Sequence, residues 1–387
     1  MSMFKSKFMA IAPLLLLALW VASAAGKSAP TQAPQERAAH DVYLAGSAVN
    51  AAGERVAMLW KNGCAQPLEL GPGAADSEAK SVFASGADVY AMGRQGEKWV
   101  IWKNGTQMPP LETKKNRAFE LFSLFVSDGD VYVAGNMTIS KVPVKRFTTK
   151  YGSNVTQTTA VVWKNGKAAP LQSYSTAISA GCLFVSGGDV YVSGGVGALA
   201  TELEMRDRSW NYNAAMWKNG KLQMVGDWRH STFVDSIHGS GQDVLALVSD
   251  STQGLLLLWV NAKKAMVISR SYVSHPSVFA CGDDVYVAGA EILEWPSLTA
   301  PRHAMLWKNG QPISLGIDSR YAPRQVAVAG GDVYLLCLEI EERTIVEGDI
   351  WKGGVIWKNG QVQMLMDEQD LKDKGYSQAH VWRMFVK

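Results

Sequence analysis

Cysteine is scarce: only Cys64, Cys182, Cys281 and Cys337 occur in 387 residues, and none stands in a C-x-x-C or Cys/His spacing. That excludes the usual structural zinc arrangements. A disulfide needs two Cα atoms within about 7 Å, and the four fall at different places in different repeats, so free, buried thiols are expected. Charge of one sign is also lacking. The net charge is +3, and no run of five basic residues provides the footprint of a nucleic-acid binder. The chain has no G-x-x-x-x-G-K-[ST] phosphate loop, no G-x-S-x-G nucleophile elbow and no S-x-D-x-G-x-x-W box. No stretch shows a helical period with caps. Neither a cofactor nor a metal is expected.

What is present begins with Lys5 and Lys7, followed by an apolar stretch from Phe8 to Val21 and then Ala22-Ser23-Ala24. This is the layout of a cleavable secretory signal over residues 1–24. The competing reading, an uncleaved anchor, is disfavoured because the stretch is shorter than the ~20 residues needed to span a bilayer. No cysteine lies near the cleavage point for lipid attachment. The expected protein is therefore secreted or periplasmic, with no membrane span after cleavage. Residues 25–38, rich in Ala, Pro, Gln and Ser, read as a flexible leader.

From residue 39 the chain repeats. WKNG starts at Trp60, Trp102, Trp163, Trp217, Trp307 and Trp357, with a decayed copy, LLWVNAKK, around Trp259. In register with it come DVYLAG, DVYAMG, DVYVAG, DVYVSG, DVLALV, DVYVAG and DVYLLC, beginning at Asp41, Asp88, Asp130, Asp189, Asp243, Asp284 and Asp332. The third unit reads as four strands: 123–127, 130–135, 160–164 and 167–172. Val, Ile, Tyr, Phe and Trp dominate them, and the first three are almost continuously apolar, as in sheets covered on both faces. Gly-Asp turns such as SDGD join the first two strands. Asn-Gly joins the last two, because a type I′ hairpin needs positive φ at both central residues.

Four-strand units of this length bury both sheet faces only by stacking around an axis as blades of a β-propeller. The first unit lacks the apolar strand that precedes DVY elsewhere, and the C-terminal SQAHVWRMFVK supplies such a strand with no DVY after it. The expectation is an all-β, seven-bladed propeller over residues 39–387, closed by the C-terminal strand completing blade one; an open solenoid would more often cap both ends with polar repeats. These motifs resemble the secreted bacterial β-propeller repeats with a DVYVAG…AxxWKNG signature, mostly of unassigned activity, and the closure is similar to that of WD-type propellers. The resemblance implies an architecture and no catalytic residues. The fifth unit departs from it most.

Propeller topology puts the tight turns on one plain face and collects the second-to-third loops and the blade links on the other. Those loops and links are rich in aromatic residues and arginine: Arg206, Arg208, Trp210, Tyr212, Trp228, Arg229, Arg270, Tyr272, Trp295, Arg302, Arg320, Tyr321, Arg324 and Trp351. Rigid rings and guanidinium forks give contact energy at little entropic cost, so this set, Arg270 apart, is the candidate binding surface for a protein, peptide or glycan. The competing reading is that several merely pack their own loops.

A polysaccharide hydrolase or lyase is the rival. It would need two carboxylates about 5–9.5 Å apart, and Glu202, Glu204, Asp207, Asp227, Asp235, Glu291, Glu294 and Glu347 are the supply. His230, His238, His275, His303 and His380 formally permit a triad, without an elbow to support one. A non-enzymatic, monomeric binding or scaffolding module is the favoured reading.

Overall fold

A DVY strand and a WKNG strand cannot bury both faces of the sheet they share, and the structure shows how the repeats solve this. The computed structural model describes residues 40–113, 117–143, 154–173, 178–197, 212–227, 229–293, 302–317, 320–341, 350–364 and 368–387. The expected signal and leader lie outside them, and Asp41–Lys387 form one unit.

Blade one contains β1 (Val42–Asn50), β2 (Arg55–Lys61) and β3 (Cys64–Pro67); blade two contains β4 (Ser77–Ser85), β5 (Asp88–Gln95), β6 (Lys98–Lys103) and β7 (Thr106–Gln107). Blade three is β8 (Ala118–Ser127), β9 (Asp130–Pro143), β10 (Asn154–Lys164) and β11 (Lys167–Pro170). Blade four is β12 (Ile178–Ser186), β13 (Asp189–Gly197), β14 (Tyr212–Lys218) and β15 (Lys221–Met224). Blade five is β16 (Thr232–Ser240), β17 (Asp243–Asp250), β18 (Leu255–Val260) and β19 (Lys263–Ser269). Blade six is β20 (Tyr272–Cys281), β21 (Asp284–Ile292), β22 (Arg302–Lys308) and β23 (Gln311–Ser314). Blade seven is β24 (Tyr321–Ala329), β25 (Asp332–Glu341), β26 (Ile350–Lys358) and β27 (Gln361–Met364). A short helix, α1 (Glu368–Asp373), then leads to β28 (Tyr376–Val386).

Every blade is a four-stranded antiparallel sheet in sequence order, except that blade one runs β28-β1-β2-β3. The fold is a seven-bladed β-propeller. The last strand pairs with β1 from Val42 opposite Val386 to Asn50 opposite Tyr376, as the shifted chain ends require. First strands touch in turn around the axis, and β28 fills the place between β24 and β4. Apolar cores lie between adjacent blades: Tyr43, Ala45 and Leu59 of blade one pack with Val82, Ala91 and Trp102 of blade two. The last of these cores joins blade seven to blade one through Leu336, Ile356, Met58, Trp60 and Met384.

The repeated motifs are one structural cassette. In blade three the Asn165 side chain accepts from Val131 N at 2.8 Å and donates to Asp130 at 2.7 Å, while Lys164 pairs with Asp130 at 2.7 Å. The Lys164 ammonium also lies 5.2 Å from the centre of the Tyr132 ring. Blades one, two, four, six and seven repeat the lysine–aspartate pair and the ring contact. Asn165 and Gly166 both have positive φ, as a type I′ turn demands. Trp163 is fully buried, and its indole N–H reaches Glu112 O in the preceding link at 2.8 Å. WKNG therefore builds the blade and its joint to the one before.

Three features depart from the sequence expectations. The segment 136–159, read as a loop, is in good part a continuation of β9 and β10, paired as far as Pro143 opposite Asn154. Cys337 alone among the four free thiols is fully buried; Cys64 and Cys281 are exposed because each adjoins a tight plain-face turn. The link into blade one forms α1, where no helix was expected.

Candidate functional site

Antiparallel pairing places the Gly-Asp and Asn-Gly turns together on one face, so the opposite face and the axial channel are where the sequence stops repeating. Of the candidate binding residues, Arg206, Arg208, Trp210, Trp228 and Trp295 lie outside the described residues. The rest are only partly brought together. Tyr212 opens β14 opposite Gly197, and Arg229 is exposed in the link to blade five, where its N–H reaches Asp227 at 3.0 Å. Tyr272, Ile292 and Arg302 form one cross-strand row at the rim of blade six. Arg302 also lines a cleft of about 510 Å³ with His303, Pro312, Leu315 and Ile317. The Arg320 guanidinium lies 5.8 Å from the Tyr321 ring centre and 3.7 Å from Glu339. Arg270 is exposed just after β19. Several placements differ from the loop expected: Tyr212, Tyr272, Arg302 and Tyr321 open strands β14, β20, β22 and β24, Trp351 lies within β26, and Arg324 lies within the inner strand β24.

Arg324 leads to a feature that sequence reasoning missed. Every inner strand carries a β-bulge at the same register, between Ala79 and Ser81, Leu121 and Ser123, Ala180 and Leu183, Val234 and Ser236, Ser274 and Ser277, and Pro323 and Gln325. In blade one it lies opposite Ala45 and Gly46. A bulge leaves one residue out of the ladder and re-aims its side chain. Here the extra residues include Lys80, Phe122, Cys182, Asp235, His275, Arg324 and Trp382, a different chemistry in each blade. They meet across neighbouring blades: Lys80 lies 4.9 Å from the Trp382 ring, Arg324 Nη1 is 2.5 Å from His275 Nδ1, and Cys182 Sγ reaches Asp235 O at 3.3 Å. The glycine ending DVYVAG was the legible signal. At Gly93 and Gly135 a Cβ would collide with the carbonyls of Glu78 and Glu120, displaced by the bulge opposite.

Three residues nearer the plain face, the same strands form an aromatic belt. Phe385, Phe83, Phe125, Phe184, His238 and Phe279 touch in succession at ring separations of 4.3–5.4 Å, and Ala327 takes the seventh place. His238 substitutes for a phenylalanine. Its Nδ1 accepts from Ala280 N at 3.3 Å, and burial between Phe184 and Phe279 pushes its pKa down to about 4. On the same strand, burial raises Asp235 to about 6, although its carboxylate accepts from Ser249 N at 3.2 Å and the residue keeps a partial opening to the channel.

The carboxylates proposed for hydrolysis divide in the same way. Glu202, Glu204, Asp207, Glu294 and Glu347 lie outside the described residues. Asp227 caps its own link, and Glu291 accepts from Ser269 Oγ. Among the histidines, His230 Nδ1 lies 2.8 Å from Asp250, which in turn accepts from Gln253 N and so anchors the rim of blade five. Among the described residues no group of three His, Cys, Asp or Glu side chains could hold a metal ion, and no helix is long and apolar enough to cross a membrane.

Comparison with known proteins adds the architecture and nothing finer. No family model and no curated protein matches the sequence. Among solved structures, a puromycin-hydrolyzing peptidase of Mycobacterium tuberculosis matches with a TM-score of 0.51 at 10% identity, over 84% of this chain and 52% of that one. An acylaminoacyl peptidase of Pyrococcus horikoshii gives 0.51 at 13% identity, over 89% and 53%. The likeness is one of fold. A Trypanosoma rangeli sialidase is weaker still, at 0.45, 9% identity, 76% and 56%. The chain spans about half the length of these solved chains.

Proposed function

We propose that the protein is a non-enzymatic binding or scaffolding propeller of the secreted repeat type, exported by its N-terminal signal to the periplasm or beyond. It acts as a monomer and recognises a protein, peptide or glycan through the long-loop face and the channel mouth. The observation that carries this reading is the asymmetry of the two faces. The lysine–aspartate–tyrosine cassette recurs in six blades on the plain face, whereas the other face presents Tyr272, Arg302, Arg320 and Tyr321 in settings that occur once each. Asp227, Asp235 and Asp250 there accept from backbone N–H groups, Glu291 from the Ser269 hydroxyl, and Glu339 lies beside Arg320, which supports binding over acid–base hydrolysis.

The test is to replace Trp210, Trp228 and Trp295 together by alanine and to follow capture from envelope extract and from a glycan array. Loss of capture with an unchanged melting temperature is expected. Unchanged capture would overturn the loop-face assignment, and hydrolysis of a polysaccharide by the purified chain would overturn the non-enzymatic one.

A further inference from the structure

The outer edge of each blade's third strand is covered first by the fourth strand and then by the link to the next blade. In blade six Asn309 N donates to Val285 O, so by the alternation of an antiparallel ladder His303, Met305 and Trp307 bond to β21, whereas Ala304 and Leu306 turn their backbone N–H and C=O outward. Strand β23 covers Leu306 and ends at Ser314, opposite Met305. In blades one, three and four the link closes the next rung: Leu68 N donates to Ala57 O, Leu171 N to Ala160 O and Val225 N to Ala214 O, at 2.8–2.9 Å. The alanine N–H is also satisfied in two of them, by Ser77 Oγ in blade one and Thr232 Oγ1 in blade four. Blade six breaks this pattern. The Trp357 indole takes Leu315 O at 3.2 Å, where the stapled joints offer the carbonyl one residue later, at Glu69, Glu112 and Gln172. Gly316 then leaves at φ 60°, and Tyr321 stands at the register position where Ser77 and Thr232 supply their oxygens. Among the described residues neither Ala304 N nor Ala304 O has a hydrogen-bond partner.

This open rung lies in the cleft of about 510 Å³, a volume within the range of ligand pockets. His303 is exposed and Ala304 and Met305 are partly so, whereas their counterparts Val56, Ala57 and Met58 in blade one and Asn213, Ala214 and Ala215 in blade four are buried. Ala304, Leu315 and Ile317 belong to the apolar core between blades six and seven, so that side of the cleft is apolar. We propose that the cleft takes an extended peptide segment of a partner protein as an added strand, one residue of which exchanges both backbone bonds with Ala304 and sets an apolar side chain against Leu315 and Ile317. This rests on the binding-module reading above and names its ligand. An N–H and a C=O on one rung ask for the C=O and N–H of one residue in an extended chain, and the added strand continues the ladder that β23 begins. Apolar walls at Ile317 and Met305 suit the alternate side chains of a strand; sugar hydroxyls would be left there without partners.

The probe is fluorescein-labelled Gly-Thr-Leu-Thr-Gly amide, titrated into the full chain and followed by anisotropy; its single apolar side chain sets the register. Two further versions carry a methyl group on the leucine nitrogen, which would face Ala304 O, or on the nitrogen of the following threonine, which would face away. Methylation at leucine should weaken binding at least ten-fold, about 1.4 kcal/mol, and methylation at threonine should leave it unchanged. Ala304→Pro, which removes an N–H that β21 does not use, should weaken the unmethylated peptide by a similar factor. Equal effects of the two methyl groups, or no binding of the parent peptide at millimolar protein, overturns the proposal. A dimer in sedimentation velocity that Ala304→Pro dissolves overturns the partner assignment in favour of a second copy of the chain. Should Ala304→Pro melt early, the two methylated peptides on the unaltered chain decide alone. Absent peptide binding, together with envelope capture that is lost in the triple tryptophan variant, would sink the cleft inference and leave the loop-face reading standing. Polysaccharide hydrolysis by a chain that still discriminates the two methylated peptides would sink the non-enzymatic reading and leave the cleft.

Discussion

Strand β16 carries two ionisable side chains three residues apart that face the same channel and respond to acid in opposite ways. His238 is held down to about 4 from an ordinary 6.5, and Asp235 is raised to about 6 from 3.8, both by burial. At 1.36 kcal/mol per pKa unit each shift corresponds to about 3 kcal/mol. As pH falls from 6.5 towards 4, the unfolded chain gains a proton at His238 that the folded chain refuses, so stability is lost. Over nearly the same window the folded chain takes up a proton at Asp235 that the unfolded chain still lacks, so stability is gained. The two slopes offset each other in the native protein. His238→Phe should therefore gain about 3 kcal/mol relative to the native chain between pH 7 and pH 4, on top of a roughly constant penalty of about 1 kcal/mol for the acceptor lost to Ala280 N. Asp235→Asn should lose about 3 kcal/mol over the same interval. Urea unfolding followed by tryptophan fluorescence at four pH values measures both, and variant-minus-native differences remove the other carboxylates. Two difference curves of the same sign, or both flat to within about 1 kcal/mol, would refute the burial argument.

Removing Ala379–Lys387 strips most of β28 from β1, takes Met384 away and exposes the core around Met58 and Trp60; the melting temperature should fall by more than about 10 °C, and a truncated chain that melts like the whole one contradicts ring closure. Ala262 occupies the glycine position of the fifth hairpin at φ 60°, so Ala262→Gly should be neutral to stabilising by up to about 1 kcal/mol, whereas Gly166→Ala should cost about 1–2; thermal melts that rank them the other way count against the turn assignment. Asn165→Ala removes the bonds to Val131 N and Asp130, and chemical unfolding should show a loss of about 1–2 kcal/mol. The same change at Asn261, which keeps both bonds in the divergent fifth blade, should cost a similar amount.

Blade number, strand order and closure were legible because each depends on a feature that recurs: an Asn-Gly that fixes a hairpin, a Gly-Asp turn, a Trp that must be buried. Even the divergent fifth unit forms a full blade, since Asn261 still ties Val244 and Asp243 together without the tyrosine and lysine. The inner-strand bulge was legible only in part. Its glycine is missing in blades five and seven, where Val248 and Cys337 stand instead, and the bulged residues share no side-chain type. Binding residues were harder still, because arginine and aromatic content marks a loop without saying which way a side chain turns. Arg324 shows the difficulty: counted with the link residues, it belongs to a strand and faces His275. The P-L-[EQ] sequence after the outer strands was overlooked, yet Glu69, Glu112 and Gln172 each bind the next WKNG hairpin through Gln107 N, Ala168 N and Leu222 N.

That link staple holds the three joints from blade one to blade four, and the joint that closes the ring replaces it. Between blades seven and one its place is taken by α1, whose Asp370 accepts from Ala65 N at 2.9 Å while Lys374 reaches Ala65 O. The carboxylate is reproduced, but the second half is not: the buried Trp60 indole N–H has no acceptor among the described residues, whereas Trp102, Trp163 and Trp217 each donate to a link carbonyl. The ring is thus a belt with a buckle, and the buckle is fastened by one fewer hydrogen bond than the three joints from blade one to blade four. Under load or heat, amide exchange should begin at β28 and β1 and travel away from the seam in both directions.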